Sequence, residues 1–394
     1  MASHEGHGRR SEGPAVLHVI DSDGPGGAES IVVALVTHAA ADSLRSEVIT
    51  PGTGPWLTSA LRQSGVRVVP VPNSWPVVRA FDATYLDGLR RAIRGSRPEV
   101  VHAHSHGVGF YVALALLLCR SRVPLVVTFH GTTDLALHVR FQWLKWRLLR
   151  RAAAVVCVSE ARANQARATP GVRAERVLCI HNGIDIAHFA PRRNDSLRRV
   201  RGIGPDVVMV GALGNVRPAK GYEVLVRAIA QCIACGLRVR LLIAGDDRNP
   251  LAEELRSLAE ALGLDDSIEF VGFVDDAATF LNGLDLLVVS SHTEGFSLAA
   301  AQAQACGLAV ISTRCGGPEE ILEDGVTGVL VPPGDADALH RAIRSLVGDS
   351  AARDRMGTAG RLRAVDRFSG EAMVLGYRDV YRAVMKPGAT AGST

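Results

Sequence analysis

Residues 284–317 have the sequence LDLLVVSSHTEGFSLAAAQAQACGLAVISTRCGG, which predicts a strand, a loop, a helix, a turn and a second strand in that order. The run 285–290 is apolar and β-branched, as in a parallel strand that is buried on both faces. Ser297 is a suitable N-cap for the Ala- and Gln-rich helix that follows, and Gly307 is a suitable end for it. The run 308–312 then predicts the next buried strand.

The junction between the first strand and the helix predicts an anion-binding site. Gly295, Phe296 and Ser297 lie where a helix presents unpaired N–H groups and the positive end of its dipole. Glu294 precedes them at the carboxyl end of a strand, where open α/β sheets bind their ligands. The alternative is an ordinary strand–helix crossover with a chance Glu-Gly-Phe, because so short a motif is weak by itself.

Length and composition favour a two-domain protein that works in a reducing compartment. The 394 residues suffice for two domains, and a hydrophobic content of 47% can fill two cores. A net charge of +4 is too small to predict nucleic-acid binding. No apolar run approaches the length of about 18 residues that predicts a membrane span. Seven cysteines, an odd number scattered through apolar runs, favour reduced thiols and a cytoplasmic location.

Apolar, strand-like runs alternate with helical stretches along the whole chain, which predicts doubly wound parallel sheets. The predicted strands include 16–20, 67–71, 100–102, 125–128, 154–158 and 177–180, and the pattern restarts at 207–210. The polar, Arg-rich stretch 192–204 between the two series is the predicted linker. The ends of the chain, 1–13 and GATAGST at 388–394, are predicted to be flexible tails; residues 1–13 lack the apolar core of a secretory signal.

Each half of the chain begins with a strand followed by a loop suited to a phosphate. In the first half, Gly26 and Gly27 allow a close approach of the backbone to a ligand. This turn is not a dinucleotide fingerprint, because Glu29 stands where Gly or Ala is needed. In the second half, Lys220 supplies a compact positive charge that can bind a phosphate group. The Gly-Lys-Ser/Thr sequence of a P-loop is absent.

These motifs, in this order and at this spacing, resemble the retaining GT-B glycosyltransferases of family 4. Glu294 stands at the first Glu of their E-G-F-G motif, and Gln302 stands where that family has a second Glu. Lys220 matches the Lys of G-R-L-x-x-x-K-G, with Asn215 at the Arg position and Arg217 two residues later as its substitute. The GGAE turn, NGID at 182–185 and GGPEEILEDGVTGVL at 316–330 extend the resemblance over about residues 14–385.

The resemblance implies an α/β protein of the GT-B fold, with two Rossmann-like, doubly wound parallel-sheet domains that face a cleft. It implies an acceptor-binding domain at 14–190, a nucleotide-sugar-binding domain at 205–370, and a helix at 371–387 that crosses back to the first domain. The implied reaction transfers a sugar from a nucleotide-diphosphate sugar, UDP- or GDP-linked, to an acceptor hydroxyl with retention of configuration. It needs no metal and no other cofactor. Carbohydrate, lipid-linked and natural-product acceptors stay open, as does the oligomeric state.

The resemblance also assigns roles to single residues. Glu294 orients the sugar hydroxyls, Lys220 stabilises the departing diphosphate, and His130 lies beside the donor sugar; these three form the implied catalytic set. The implied donor-binding residues are Gly26, Gly27, Asn215, Arg217, Lys220, Phe273, Gly295, Phe296, Ser297, Leu298 and Gln302.

Two patterns offer possible metal ligands, but neither is complete. Asp21 and Asp23 spell the DxD of metal-dependent glycosyltransferases, yet they precede a glycine turn after the first strand. His102, His104 and His106 occupy alternate positions, but a zinc site needs a further ligand that the sequence does not supply. We therefore expect no metal, and we note that His102 and His104 match a VHAH segment of the family.

Residues 135–159 contain no acidic residue and include the basic stretch HVRFQWLKWRLLRR. An amphipathic basic helix can dock on anionic lipid, which would place the protein at the inner face of a membrane. A two-faced helix on the outer layer of the sheet is the structural alternative.

Two other functions also stay open at the level of sequence. The differences at Gln302 and Asn215 fit a protein that binds a nucleotide sugar without transferring it. A nucleotide-sugar 2-epimerase of the same fold would interconvert sugars and need no acceptor.

Overall fold

The computed structural model describes residues 15–39, 44–73, 81–131, 147–169, 171–192 and 194–385. The chain divides into two compact units. Unit 1 takes in Met1–Cys157, Ala163–Ile180 and Met373–Thr394, and unit 2 takes in Val158–Arg162 and His181–Ala372. The two predicted tails lie outside the described residues.

Among its described residues, unit 1 is built on seven strands and the helices that connect them. The strands are β1 (Ala15–Val19), β2 (Arg45–Thr50), β3 (Arg67–Pro70), β4 (Val100–His104), β5 (Leu125–Phe129), β6 (Ala154–Cys157) and β7 (Val177–Cys179). The helices are α1 (Gly27–Ala39), α2 (Pro55–Gln63), α3 (Ala83–Ser96), α4 (His106–Leu118) and α5 (Glu160–Arg167), of which α5 begins in unit 2. The spatial order of the strands is β3-β2-β1-β4-β5-β6-β7, and every pair is parallel.

The core of unit 1 occupies both faces of this sheet, and the helices α1 and α2 cover the face on which Val48 of β2 is buried. Val101 on β4 and Val127 on β5 are fully buried in one apolar cluster with Leu89 of α3 and Val112 of α4. Side chains alternate between the two faces of a strand, so the even-numbered residues of β4 and β5 point the other way.

Unit 2 is built on six strands and, in the part of the chain that the structure describes, contains more helices than unit 1. The strands are β8 (Val208–Leu213), β9 (Val239–Ala244), β10 (Ile268–Gly272), β11 (Leu286–Val289), β12 (Val310–Thr313) and β13 (Val329–Val331). The helices are α6 (Ser196–Val200), α7 (Tyr222–Ala234), α8 (Pro250–Ala261), α9 (Ala277–Leu281), α10 (Leu298–Ala305), α11 (Pro318–Ile321), α12 (Ala336–Val347), α13 (Ser350–Arg367) and α14 (Gly370–Met385), which continues into unit 1. The strand order is β10-β9-β8-β11-β12-β13, again with parallel pairs only.

Both sheets are doubly wound, as the alternating pattern predicted. The strand order reverses between β1 and β4 in unit 1 and between β8 and β11 in unit 2. Neighbouring loops leave the sheet in opposite directions at such a switch point, which opens a crevice at the carboxyl ends of the strands. Each unit therefore has a defined position for a ligand.

The structure differs from the sequence-based expectations in two segments, and a third segment is described only in part. Residues 181–190 group with unit 2, because Ile184 and Phe189 are buried in its core. The predicted linker contains the helix α6, whose Leu197 packs against the same core. Residues 132–146, which hold most of the predicted basic helix, lie outside the described residues.

The described end of the basic segment has two faces. Leu148 and Leu149 are buried in the core of unit 1, whereas Arg147 and Arg150 are exposed. No helix in the described ranges is both long enough and apolar enough to cross a membrane.

Candidate functional site

Lys220 and Glu294, which the sequence placed in separate loops, meet at the switch point of unit 2. Lys220 follows β8 at the end of a short 3-10 helix, and Glu294 follows β11, the neighbouring strand. Lys220 Nζ donates to Glu294 Oε1 over 2.7 Å, and Ser291 Oγ donates to the same oxygen over 2.7 Å. The lysine side chain is 26% exposed and the glutamate side chain 12%, so both remain within reach of a ligand.

A glycine and four hydrogen-bonding groups hold the loop of Lys220 against the loop of Glu294. Gly221 has a φ of 59°, in the left-handed region, and a Cβ there would overlap the carbonyl oxygen of Ser290. Ser290 Oγ donates to the carbonyl oxygen of Lys220 over 2.9 Å. The N–H of His292 donates to the carbonyl oxygen of Ala219 over 2.8 Å. The ammonium group is thus positioned by backbone contacts on both sides.

The predicted anion site lies at the start of α10. Ser297 is the N-cap, and its Oγ accepts a hydrogen bond from the N–H of Ala300. Within the described chain, the N–H groups of Gly295, Phe296 and Leu298 donate to no backbone carbonyl oxygen. These groups and the helix dipole favour a negatively charged ligand.

The side chain of Phe296 has a structural role. It is 6% exposed, and its ring centroid lies 5.5 Å from that of Phe368. Gly317 packs directly on this residue, since a Cβ at Gly317 would lie 2.6 Å from the Cα of Phe296. The glycine pair at 316–317 therefore supports the loop, and Phe296 offers a ligand only its backbone.

Asn215, at the Arg position of the family motif, and Arg217, its suggested substitute, have different environments on the loop after β8. Asn215 Oδ1 accepts from the N–H of Asp246 over 3.0 Å, which ties the loop after β8 to the loop after β9. Arg217 is exposed. The pKa of Asp246 is lowered mainly by its hydrogen bond to Arg248, with a contribution from the charge of Arg217. Asn215 thus acts on the backbone, and Arg217 keeps a charge at the surface of the site.

Two further donor-binding candidates lie on other elements of unit 2. Phe273 follows β10 and is 43% exposed. Gln302 lies on the second turn of α10 and is half-buried. Gln304, on the same helix, is fully buried and donates from Nε2 to the carbonyl oxygen of Thr327.

In unit 1, the helix α1 begins at Gly27, and Gly26 directly precedes it. The carbonyl oxygen of Gly26 accepts from the N–H of Ser30 over 3.0 Å. A Cβ at Gly26 would clash with the carboxylate of Glu29, which also accepts a hydrogen bond from Ser22 Oγ. The buried Glu29 carboxylate therefore packs directly against the Cα of Gly26.

The DxD-like pair contributes to loop structure through its second member. Asp23 is buried, and its Oδ2 accepts from the N–H groups of Thr53 and Gly54 over 2.6 and 2.7 Å. This carboxylate therefore fixes the loop that leads into α2.

Unit 1 contains a buried histidine cluster that the sequence showed only in part. His18 on β1 joins His102 and His104 on β4, and their ligating nitrogens lie within 4.8 Å of one another. His106, the third member of the predicted trio, starts α4 and packs against Phe129 instead. His18 was missed because a single histidine in an apolar strand gives no local signal; its register opposite His102 appears only when β1 pairs with β4.

Two hydrogen-bond groupings organise these side chains. His104 lies between His18 and His130, with nitrogen–nitrogen distances of 3.1 Å on each side. His102 lies 2.7 Å from Tyr381 Oη on α14 and 2.7 Å from Thr128 Oγ1 on β5. The cluster therefore lies on the face of the sheet opposite Val101 and Val127.

Burial keeps the imidazoles of this cluster neutral. Desolvation lowers the pKa of His18 to about 3 and that of His130 to about 4. It also lowers the pKa values of His102 and His104 well below their ordinary range, helped by the neighbouring histidines.

Comparisons with known proteins cover both units. The family described as Glycosyltransferase Family 4 matches residues 25–188, and the family described as Glycosyl transferases group 1 matches residues 204–349. The D-inositol 3-phosphate glycosyltransferase of Actinosynnema mirum is 32% identical over 332 residues, which make up 75% of this chain and 77% of that protein. The protein of the same name from Segniliparus rotundus is 32% identical over 221 residues, 55% of this chain and 49% of that protein. That second match thus spans about half of the relative's length.

A solved structure matches over almost the entire chain. HepE from Anabaena, solved in complex with UDP and glucose, superposes with a TM-score of 0.81 at 24% identity. The superposition covers 94% of this chain and 100% of HepE. At this identity the match establishes a common fold.

Proposed function

Since this chain belongs to the family 4 glycosyltransferases, in the glycosyl transferases group 1, and has the GT-B fold, we propose that it transfers a sugar from a nucleotide-diphosphate sugar to an acceptor hydroxyl. The configuration at the anomeric carbon is retained, as in the family that the sequence resembles. The single observation that carries the proposal is the contact between Lys220 and Glu294 at the switch point of unit 2.

The main chemical task is to stabilise the leaving group. A departing nucleoside diphosphate gains negative charge in the transition state, and fixed cations and N–H donors aimed at that charge lower the barrier. Lys220 supplies the cation, and the N–H groups of Gly295, Phe296 and Leu298 supply donors at the positive end of α10. Arg217 adds a second, exposed positive charge on the loop after β8.

Glu294 has the chemistry to orient a sugar. Its Oε1 already accepts hydrogen bonds from Lys220 and Ser291, which fix the direction of the carboxylate. The remaining acceptor positions of an ionised carboxylate are suited to sugar hydroxyl groups. In this proposal Glu294 positions the donor and the leaving phosphate accepts the proton of the acceptor hydroxyl.

No divalent metal takes part in the proposed reaction, because side-chain cations and helix N–H groups neutralise the diphosphate. Metal-dependent enzymes use bridging cations for the same purpose, with carboxylates as ligands. Asp23 instead binds the backbone of its own unit. His130 in unit 1 offers a neutral nitrogen for a sugar hydroxyl.

The proposal is tested first by binding. Purified protein is heated with UDP, GDP, UDP-glucose or GDP-mannose, and a ligand that binds the folded state raises the melting temperature by mass action. We expect one nucleotide series to stabilise the wild type and to stabilise Lys220→Ala much less. The absence of any shift with all four compounds would argue against a nucleotide-sugar donor.

Transfer is then tested with the stabilising donor. Without an acceptor, we expect slow hydrolysis of the donor to free sugar and nucleoside diphosphate. Inositol phosphate or glycolipid acceptors should accelerate release of the nucleoside diphosphate and take up the sugar. Interconversion of the donor sugar without an acceptor would instead indicate an epimerase. Donor binding with neither hydrolysis nor transfer would indicate a non-catalytic binding protein.

A further inference from the structure

His130, His104 and His18 form a chain of three imidazoles in unit 1. His130 Nε2 lies 3.1 Å from His104 Nδ1, and His104 Nε2 lies 3.1 Å from His18 Nδ1. The rings of neighbouring members are nearly parallel, with interplanar angles of 22° and 21°. The chain crosses from the end of β5 through β4 to β1, so it runs along the switch point of this sheet.

Chemistry allows this chain only two proton arrangements. A neutral imidazole has one N–H donor and one acceptor nitrogen, and each contact needs one of each. In the first arrangement, His104 Nδ1 donates to His130 Nε2, and His18 Nδ1 donates to His104 Nε2. In the second arrangement, His130 Nε2 donates to His104 Nδ1, and His104 Nε2 donates to His18 Nδ1. The tautomers of His130 and His18 are therefore linked, although these two residues do not touch.

The His130 end of the imidazole chain has an unpaired nitrogen that a ligand could bind. His130 Nδ1 is buried and has no hydrogen-bond partner within the described residues. An unsatisfied buried polar atom costs about 1–3 kcal/mol, so a hydroxyl group that pairs with this nitrogen is favoured. The Nδ1 atom donates to that hydroxyl in one arrangement of the chain and accepts from it in the other.

We propose that His104 and His18 are positioning residues that fix the tautomer of His130, and thereby decide whether its Nδ1 donates to or accepts from a sugar hydroxyl. This inference rests on the proposed function for the identity of the hydroxyl. The linkage of the three tautomers does not depend on it.

A metal ion is the competing explanation for the cluster. The nitrogens of His18, His102 and His104 lie within 4.8 Å of one another, which is close enough for one cation. Both nitrogens of His102, however, already lie 2.7 Å from Tyr381 Oη and Thr128 Oγ1. A metal would have to break one of these hydrogen bonds or bind with only two nitrogens, so the geometry favours the imidazole chain.

The test reads the tautomer of His130 directly. Protein labelled with ¹⁵N-histidine is examined by NMR without ligand, and ring-nitrogen shifts distinguish a protonated nitrogen from an unprotonated one. We expect a single dominant tautomer of His130 in the wild type and a mixture in His18→Phe, which keeps a ring but removes the nitrogens. If His18→Phe does not fold, His18→Gln serves, because its amide can donate or accept and again releases the constraint.

His102→Phe is the matched control. It lies in the same buried cluster but outside the chain of three, so it should lower the melting temperature and leave the His130 tautomer unchanged. An unchanged His130 tautomer in His18→Phe or His18→Gln would overturn the proposal. Zinc bound through His18 and His104 in the purified protein would overturn it as well.

A binding measurement connects the chain to the sugar. UDP-glucose should bind His18→Phe about two- to tenfold more weakly than the wild type, the effect of one neutral hydrogen bond. UDP alone should bind both proteins equally. If the tautomer changes but UDP-glucose binding does not, the positioning role is overturned. If no nucleotide or nucleotide sugar binds the wild type, the proposed function fails, and the NMR result still decides the tautomer linkage.

Discussion

Lys220 and Glu294 are 74 residues apart in the sequence, and a 2.7 Å hydrogen bond joins their charged groups at the carboxyl ends of two adjacent parallel strands. The two loops are brought together by the reversal of strand order between β8 and β11. Because Ser291 shares the same carboxylate oxygen, the pair is held in one orientation before any ligand arrives. A site arranged in this way has little reorganisation left to complete during reaction.

Replacing Lys220 by Ala should reduce turnover by about 10–100-fold or more, since a charge-assisted contact contributes about 1.5–3 kcal/mol. Lys220→Arg should also be impaired, because a planar fork replaces a point charge. Steady-state transfer from the identified donor is the measurement. Arg248→Ala is the matched control: this exposed cation is paired with Asp246, and its loss should change turnover little. Full activity in both Lys220 variants would remove the phosphate role.

Gly221→Ala should be more harmful than an ordinary glycine substitution. The residue has a φ of 59°, which costs an L side chain about 1–2 kcal/mol, and the new Cβ would also overlap Ser290. Gly236→Ala is the control, with a φ of 79° and no atom within 4 Å of the added Cβ. Thermal unfolding should give the larger loss for Gly221→Ala, and only this variant should also lose activity. Equal losses would mean that the two loops adjust freely.

The sequence alone predicted most of the fold, and it singled out the two residues, Lys220 and Glu294, that meet at the switch point of unit 2. The alternation of apolar strands and helices is local, so the doubly wound sheets could be predicted from it. Glu294 and Lys220 could be identified because each carries a motif in a short loop. The direct contact between them could not, since it depends on which strands are neighbours.

The parts that escaped prediction depend on tertiary packing. The roles of His18 and Tyr381 appear only when β1 pairs with β4 and α14 covers the sheet. Asp23 resembled a metal ligand in sequence, but its partners are backbone N–H groups about 30 residues away. Such contacts leave no periodic or spaced pattern that could be found in one sequence.

Transfer should continue in the presence of EDTA, because the proposed phosphate site uses cationic side chains and N–H groups. Asp23→Ala should lower the free energy of unfolding by about 2–3 kcal/mol, since two backbone N–H groups lose a charged acceptor. The EDTA assay and the melting temperature of Asp23→Ala are the two measurements. Complete loss of activity in EDTA, restored by Mg²⁺ or Mn²⁺, would make Asp21 and Asp23 candidate ligands again.

If the basic segment that ends at Arg151 binds membranes, liposome association should require anionic lipid and weaken with added salt. Replacing the exposed Arg147, Arg150 and Arg151 by Gln should abolish it without unfolding the protein, because the adjacent Leu148 and Leu149 remain to fill the core. Co-sedimentation with anionic and neutral vesicles is the measurement. Equal binding to neutral vesicles, or none to anionic ones, would leave the segment with a structural role only.

Gln302 stands where the family has a carboxylate that accepts hydrogen bonds from the ribose. An amide keeps one acceptor oxygen and adds a donor, but a neutral hydrogen bond contributes about 0.5–1.5 kcal/mol against about 1.5–3 for a charged one. Gln302→Ala should therefore weaken donor binding by about tenfold, and Gln302→Glu should preserve or strengthen it. Calorimetry with the identified donor measures both.

The same helix supplies the control for this last comparison. Gln304→Ala removes an equal volume two residues away, but Gln304 is fully buried and bonded to the carbonyl oxygen of Thr327. Gln304→Ala should lower the melting temperature and leave donor affinity unchanged. Gln302→Ala, at a half-buried position, should weaken donor binding and leave the melting temperature nearly unchanged. If Gln302→Ala binds the donor as tightly as the wild type does, Gln302 only packs against its neighbours, and other residues hold the ribose.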